Sequence, residues 1–259
     1  MTSSAPALGT RMLLIRPGHS LADARNEFMG SRRCRGLDRT GHDQVRLLGR
    51  ALAQLPLQVA RIYHTDVARA EDTANLLAVA LGGAAVEAAL GCRAYGAADG
   101  KLVDEVLATF DPPLELSPDT PLAQGAESWA DVVDRTRREF EQLSDRHPGQ
   151  TLLIVCDKDT IAASFQLYLD VPPTRSQSIH TDNSAITEWI SVPAPDSKDG
   201  ALERRWILTR HNDRTHLVPL ATPASGACSG RNFSPVPHDS STASITASAG
   251  ASAFSPKTP

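Results

Sequence analysis

Cysteine is scarce in this chain of 259 residues, and the four present, Cys34, Cys92, Cys156 and Cys228, form no CxxC pair and have no histidine-rich companion segment. That spacing indicates neither a zinc site nor a disulfide framework, so the thiols read as reduced and no metal or other cofactor is expected. Long apolar runs are missing as well: nothing approaches the roughly 18 residues that a membrane-spanning helix requires. The first apolar run, Met12-Leu13-Leu14-Ile15, is preceded by a single basic residue, Arg11, against the order of regions in a secretory signal. A cytoplasmic protein with no membrane partner is the expectation. Positive charge is in deficit, 26 Lys and Arg against 30 Asp and Glu, and a net charge of -4 leaves no electrostatic footprint for nucleic acid.

What the chain does contain divides into one domain and two flanks. From Thr222 onward, TPASGACSGRNFSPVPHDSSTASITASAGASAFSPKTP offers few large apolar side chains and cannot offset the entropy of its own ordering. Residues 222–259 are therefore expected to be a disordered tail and residues 1–9 a flexible N-terminus, leaving a domain over 10–221. Within it, Met12–Ile15, Val59–Tyr63 and Thr151–Val155 are short apolar runs of the kind that form buried strands, with Ala185–Ser191 and Arg204–Thr209 as later, partly alternating ones. Between them, Val45, Leu48, Leu52 and Leu55 form a helical stripe, and Ala70, Thr73, Ala74, Leu77 and Leu81 another. Ser128, with Asp131 three residues on, signals the start of a helix carrying Val132, Val133, Thr136, Phe140 and Leu143. Strands alternating with helices predict an α/β fold, a three-layer sandwich with a largely parallel central sheet. Ligands of such sheets sit beyond the carboxyl ends of the strands, which puts Arg16–Ser20, Thr65–Arg69 and Cys156–Asp159 on one rim.

Those loops carry a resemblance to a known family. Arg16-Pro17-Gly18-His19-Ser20 resembles an Arg-His-Gly-Glu-Ser motif that follows a first strand, and Leu37 to Val45 resembles Leu-Thr-x-x-Gly-x-x-Gln-Ala. Thr65 to Ala74 is similar to Ser-Pro-Leu-x-Arg-Ala-x-x-Thr-Ala, Gly125 to Ser128 to Gly-Gly-Glu-Ser, Asn183 to Ile186 to Asn-x-x-Ile, and Asn212 to Leu217 to Asn-Asp-x-x-His-Leu. Together, over residues 11 to 217 and in the family's order, these resemble the histidine phosphatase superfamily, with its phosphoglycerate mutase-like fold. The resemblance implies a cap-like insertion at about 85–125, permits a homodimer and requires no metal.

The same resemblance implies a phosphoryl-transfer site in which a histidine attacks phosphorus, two arginines and a second histidine hold the oxygens, and a carboxylate protonates the leaving group. Arg16 and Arg69 fill the arginine places. Pro17, which has no nucleophilic nitrogen, fills the first histidine's place, Asp157 the second's and Cys92 the acid's. An Arg16-Asp157-Arg69 cluster would neutralise itself. His19, two residues beyond the family's nucleophile, is a candidate for proton transfer or for stand-in attack, and Cys92 beside Arg93 is a candidate reactive thiol. Three readings follow: a repurposed enzyme of a biosynthetic pathway, holding a small anionic or polar metabolite on Arg16, Arg69 and Asp157 with Asp157 and His19 moving protons; a non-catalytic pseudophosphatase that binds a ligand or partner; and a residual phosphomonoesterase that uses His19.

Overall fold

The computed structural model describes residues 9–110, 117–169, 179–193 and 204–218, all within one compact unit. The tail expected over 222–259, and all but Gly9 of the expected flexible N-terminus, lie outside the described residues.

Six strands, β1 (Arg11–Ile15), β2 (Val59–Thr65), β3 (Val86–Leu90), β4 (Thr151–Val155), β5 (Ile186–Pro193) and β6 (Arg204–Asp213), form one sheet in the order β3-β2-β4-β1-β5-β6. The strands from β3 to β1 in that order are parallel to their neighbours, whereas β5 is antiparallel to both β1 and β6. The helices are α1 (Leu21–Arg25), α2 (Arg39–Ala53), α3 (Ala68–Ala80), α4 (Val103–Leu107), α5 (Trp129–Arg146) and α6 (Lys158–Leu169).

The continuous apolar runs of β1 and β4 follow from burial on both faces of the sheet, since successive side chains alternate sides. Leu13, Ile15, Leu153 and Val155 pack with Val45, Leu48 and Leu52 of α2 and Ala70, Ala74 and Leu77 of α3. Their neighbours Met12, Leu14, Leu152 and Ile154 pack on the opposite face with Phe140 and Leu143 of α5, Ile161 and Phe165 of α6, and Trp189 of β5. The result is the three-layer sandwich read from the sequence.

Local chemistry sets the helix starts. Asp38 caps α2 by accepting from the Gly41 amide at 2.9 Å. Ser128 and Asp131 close a capping box on α5, with the Ser128 amide donating to Asp131 at 3.0 Å and the Asp131 amide to the Ser128 hydroxyl at 3.1 Å.

One boundary differs from expectation. Residues 86–90, assigned from the resemblance to a cap-like insertion at 85–125, form β3 and pair in parallel with β2. The separate structure starts after β3, where Tyr95, Ala98, Val106 and Leu122 gather Phe28, Leu107 and Phe110 into a small core of their own. VEAAL, with its short side chains, carries a weak strand signal by itself; pairing with β2 supplies the stability. Among the described residues no helix is long and apolar enough to cross a membrane.

A sheet covered on both faces makes a specific demand on neighbouring residues. Leu152→Ala and Leu153→Ala, one on each face, should each lower unfolding free energy by about 2–5 kcal/mol in chemical denaturation. A small effect at either position would mean that one face is open to solvent.

Candidate ligand pocket at the strand ends

The carboxyl ends of β1, β2 and β4 lie side by side, and the first residues beyond them converge on a cavity of about 220 Å³. At the end of β1, the Arg16 guanidinium donates to the Thr181 carbonyl and pairs with Asp23 of α1. Asp23 is held in place by Ser20, whose amide and hydroxyl both donate to its carboxylate, at 3.0 and 2.7 Å. Burial alone would raise the Asp23 pKa, but Arg16 and hydrogen bonds from Ser20 and Asn183 hold it below its ordinary value. Pro17 lines the cavity, and its carbonyl accepts from the Asn183 side chain at 3.2 Å and the Ser184 amide at 3.3 Å.

Arg69, in the first turn of α3, is buried together with Asp157, the residue just before α6. Every nitrogen of its guanidinium is engaged. Nε and Nη2 both donate to Asp157 Oδ1, at 2.9 and 2.5 Å, and Nη1 donates to the Met29 carbonyl at 2.9 Å. Burial opposes the arginine's charge, and the carboxylate beside it more than restores it, so the Arg69 pKa lies above its ordinary value. Asp157 Oδ2 is buried and receives no hydrogen bond of standard geometry. The Cys92 thiol, a weak donor, interacts with the same carboxylate, and its pKa is pushed far up by burial and then by the charge of Asp157.

The expected three-member cluster therefore resolves into two pairs. Arg16 takes Asp23, seven residues along its own loop, and Arg69 takes Asp157. The Ser20-x-x-Asp23 spacing, a capping box, is the sequence signal that would have located Asp23. Three cationic side chains on the cavity wall, Arg16, Arg69 and Lys158, face three acidic ones, Asp23, Glu27 and Asp157, so the wall is formally neutral.

Of the residues singled out from the sequence, Arg16, Arg69 and Asp157 line one cavity, whereas His19 and Cys92 are not on its wall. The chain turns at Gly18, and His19 points toward α2: Nδ1 lies 2.6 Å from Asp38 Oδ2, and its amide donates to Gln44 at 2.9 Å. Asp38 is thus shared between capping α2 and holding His19.

Cys92 packs behind Asp157 against the apolar cluster under α2 and α3. Its loop is clamped by Arg135, which donates to the Gly91 carbonyl at 2.7 Å and to Glu127 at 2.8 Å, and by Glu139, which accepts from the Gly91 amide at 2.9 Å. Tyr95, a cavity residue that sequence reasoning missed, is backed by Arg93, which pairs with Asp159 at 3.0 Å and lies over both the Tyr95 and Trp129 rings.

The state of the Cys92 thiol is open to a direct check. At pH 8 iodoacetamide should leave Cys92 unmodified in the folded protein under conditions that label it in a denatured control, read by peptide mass mapping. Rapid labelling of folded protein would contradict a neutral, shielded thiol.

Several solved structures share this fold. A phosphoserine phosphatase from Entamoeba histolytica in complex with 3-phosphoglyceric acid superposes with a TM-score of 0.66 at 20% identity, over 80% of this chain and 99% of that one. A mycobacterial glucosyl-3-phosphoglycerate phosphatase complexed with VO3 gives 0.64 at 21% identity, over 78% and 98%. A phosphoglycerate mutase from Bacillus anthracis gives 0.65 at 17% identity, over 81% and 95%. At these identities the likeness establishes the fold alone. No curated protein sequence matches the chain. The sequence pattern of the histidine phosphatase superfamily (branch 1), however, matches residues 12–192, well over half of the chain and spanning every strand from β1 to β5. By that match the chain belongs to the histidine phosphatase superfamily.

Proposed function

We propose that this member binds a small polar molecule at the strand-end cavity without forming a phosphohistidine. The observation that carries the reading is the pairing of Arg69 with Asp157. It bears on the ligand in two ways. A carboxylate about 4 Å from a bound phosphate would oppose it by roughly 4 kcal/mol at an effective dielectric near 20, so the arginine's charge is spent internally. The second oxygen of the same carboxylate is buried with no standard hydrogen bond, so a carboxylate on the cavity wall keeps unfilled acceptor capacity. A ligand presenting a hydroxyl or ammonium group to the Asp157 carboxylate would suit this wall better than an anion with no donor.

Among the described residues, none of the candidate nucleophiles read from the sequence is placed to attack such a ligand. Pro17 has no side-chain nitrogen, Cys92 is held neutral, and His19 is turned onto Asp38. Binding without turnover is therefore the primary reading. The unsatisfied Oδ2 favours a second one, a recruited enzyme in which Asp157 accepts a proton from the bound donor group, without His19, which does not share the cavity. Phosphomonoester cleavage through His19 finds no support in its placement.

Two measurements test this. With a generic aryl phosphate, wild-type protein and Pro17→His should both show no turnover above background, because restoring an imidazole leaves Arg69 occupied; phosphohistidine in either protein, detected by mass spectrometry, would overturn the reading. In calorimetric titration with orthophosphate, Asp157→Asn should bind at least about tenfold more tightly than wild type, with the gain abolished in Asp157→Asn/Arg69→Gln. An unchanged affinity in Asp157→Asn would show that the carboxylate is not what keeps anions out.

A further inference from the structure

One loop of this net-acidic chain is dense in arginine. Residues 25–35 read RNEFMGSRRCR, four arginines against one glutamate, in a protein with net charge -4. The segment runs from the end of α1 into the loop before α2, and Arg25, Arg32, Arg33 and Arg35 converge on a second cavity, of about 250 Å³. Exposed arginines are ordinarily just solvated. Three features separate these from that reading.

The first is the lack of counter-charge. Among the described residues, Arg25, Arg32 and Arg35 have no carboxylate within ion-pair distance, Arg33 has only Asp99 at 3.8 Å, and Glu27 is the single acidic residue on the wall. Most other arginines near the strand ends are paired, Arg16, Arg69 and Arg93 among them. The second is that the loop is built to hold its shape. The Arg33 and Cys34 amides both donate to the Gly30 carbonyl, the Gly30 amide donates to Asp99 at 2.9 Å, and the Leu37 amide donates to Asp72 at 3.0 Å. Cys34 is buried in the core between two exposed arginines, and Gly36, at φ +87°, sits so close to the Asp72 carboxylate that any side chain there would collide with it. Arg33 crosses Gly100, whose φ of +84° disfavours any residue with a side chain. The third is concavity: guanidiniums around a hollow can bind one anion from several sides, as those on a convex surface cannot.

We propose that this arginine-lined hollow is an anion site for a phosphate-bearing small molecule, separate from the strand-end cavity. The two adjoin, since Glu27 and Met29 line both. Glu27 stands at the junction and biases an anion toward the arginines and away from the neutral wall beyond. Free positive charge thus lies on the rim, while the arginines deeper in are occupied. The site does not rest on the function proposed for the inner cavity, and the two fail separately.

Calorimetry on the full-length protein tests it, with inorganic tripolyphosphate and a hexose bisphosphate as probes. Either should bind in an affinity that falls as sodium chloride is raised, and the tighter of the two identifies the source as bare polyphosphate or organic phosphoester. Arg32→Gln/Arg35→Gln should weaken binding by about tenfold or more, and Arg25→Gln, on a different element, should weaken it too. All three side chains are exposed, and unchanged thermal melts will confirm that the variants fold. Lys158→Gln, on the wall of the inner cavity, should leave the affinity within about twofold. The proposal is overturned if neither probe binds, if Lys158→Gln abolishes binding while the arginine variants do not, or if a poly-glutamate peptide binds through these arginines and both phosphate probes fail.

Discussion

The buried pair of Arg69 and Asp157 is the interaction around which the candidate site is organised. Taking two charges out of water is costly, and the cost is recovered only where the geometry is good and the remaining hydrogen-bonding capacity is filled. On the arginine side both conditions hold, with two bonds to one carboxylate oxygen and a third to the Met29 carbonyl. On the carboxylate side they hold by half, since Oδ2 receives no hydrogen bond of standard geometry. The proposed function rests on that asymmetry: in it, the pair withdraws a cation that a phosphate would use and keeps a carboxylate with unfilled acceptor capacity on the cavity wall.

The fold brings this about without special devices. Parallel strands deliver three loops to one edge, and helices that start there position the side chains, Asp157 immediately before α6 and Arg69 in the first turn of α3. Arg16 repeats the arrangement one strand away with Asp23. The chain keeps the fold of the histidine phosphatase superfamily, Arg16 and Arg69 at the strand ends are paired with carboxylates, and arginines without close carboxylates gather on the loop outside. Fold and chemistry are set by different residues, so one can change while the other persists.

Much of the fold was legible in the sequence because burial on both faces leaves plain marks. LLI in β1 and TLLIV in β4 are uninterrupted, α2 and α5 carry clear stripes, and Ser128 with Asp131 announces a helix start. β3 was not legible, for VEAAL is held by its neighbour and not by its own preference. Nor was α6, whose residues from Thr160 to Gln166 are all buried, so that no polar stripe marks its period. At the site, the convergence of Arg16, Arg69 and Asp157 could be read from the motifs, but the choice of partners could not. Whether Arg16 reaches Asp23 or Asp157 depends on how the loop after β1 turns. The same turn carries His19 onto Asp38, a partner nineteen residues away that no local spacing reveals.

The central claim, that Asp157 and not an anion occupies Arg69, is tested most directly by a crystal structure of the wild-type protein soaked in orthovanadate. The account predicts that Arg69 remains on Asp157 and the Met29 carbonyl, with no vanadate density in contact with its guanidinium. Vanadate bound between Arg16 and Arg69, with the Asp157 carboxylate displaced, would contradict it.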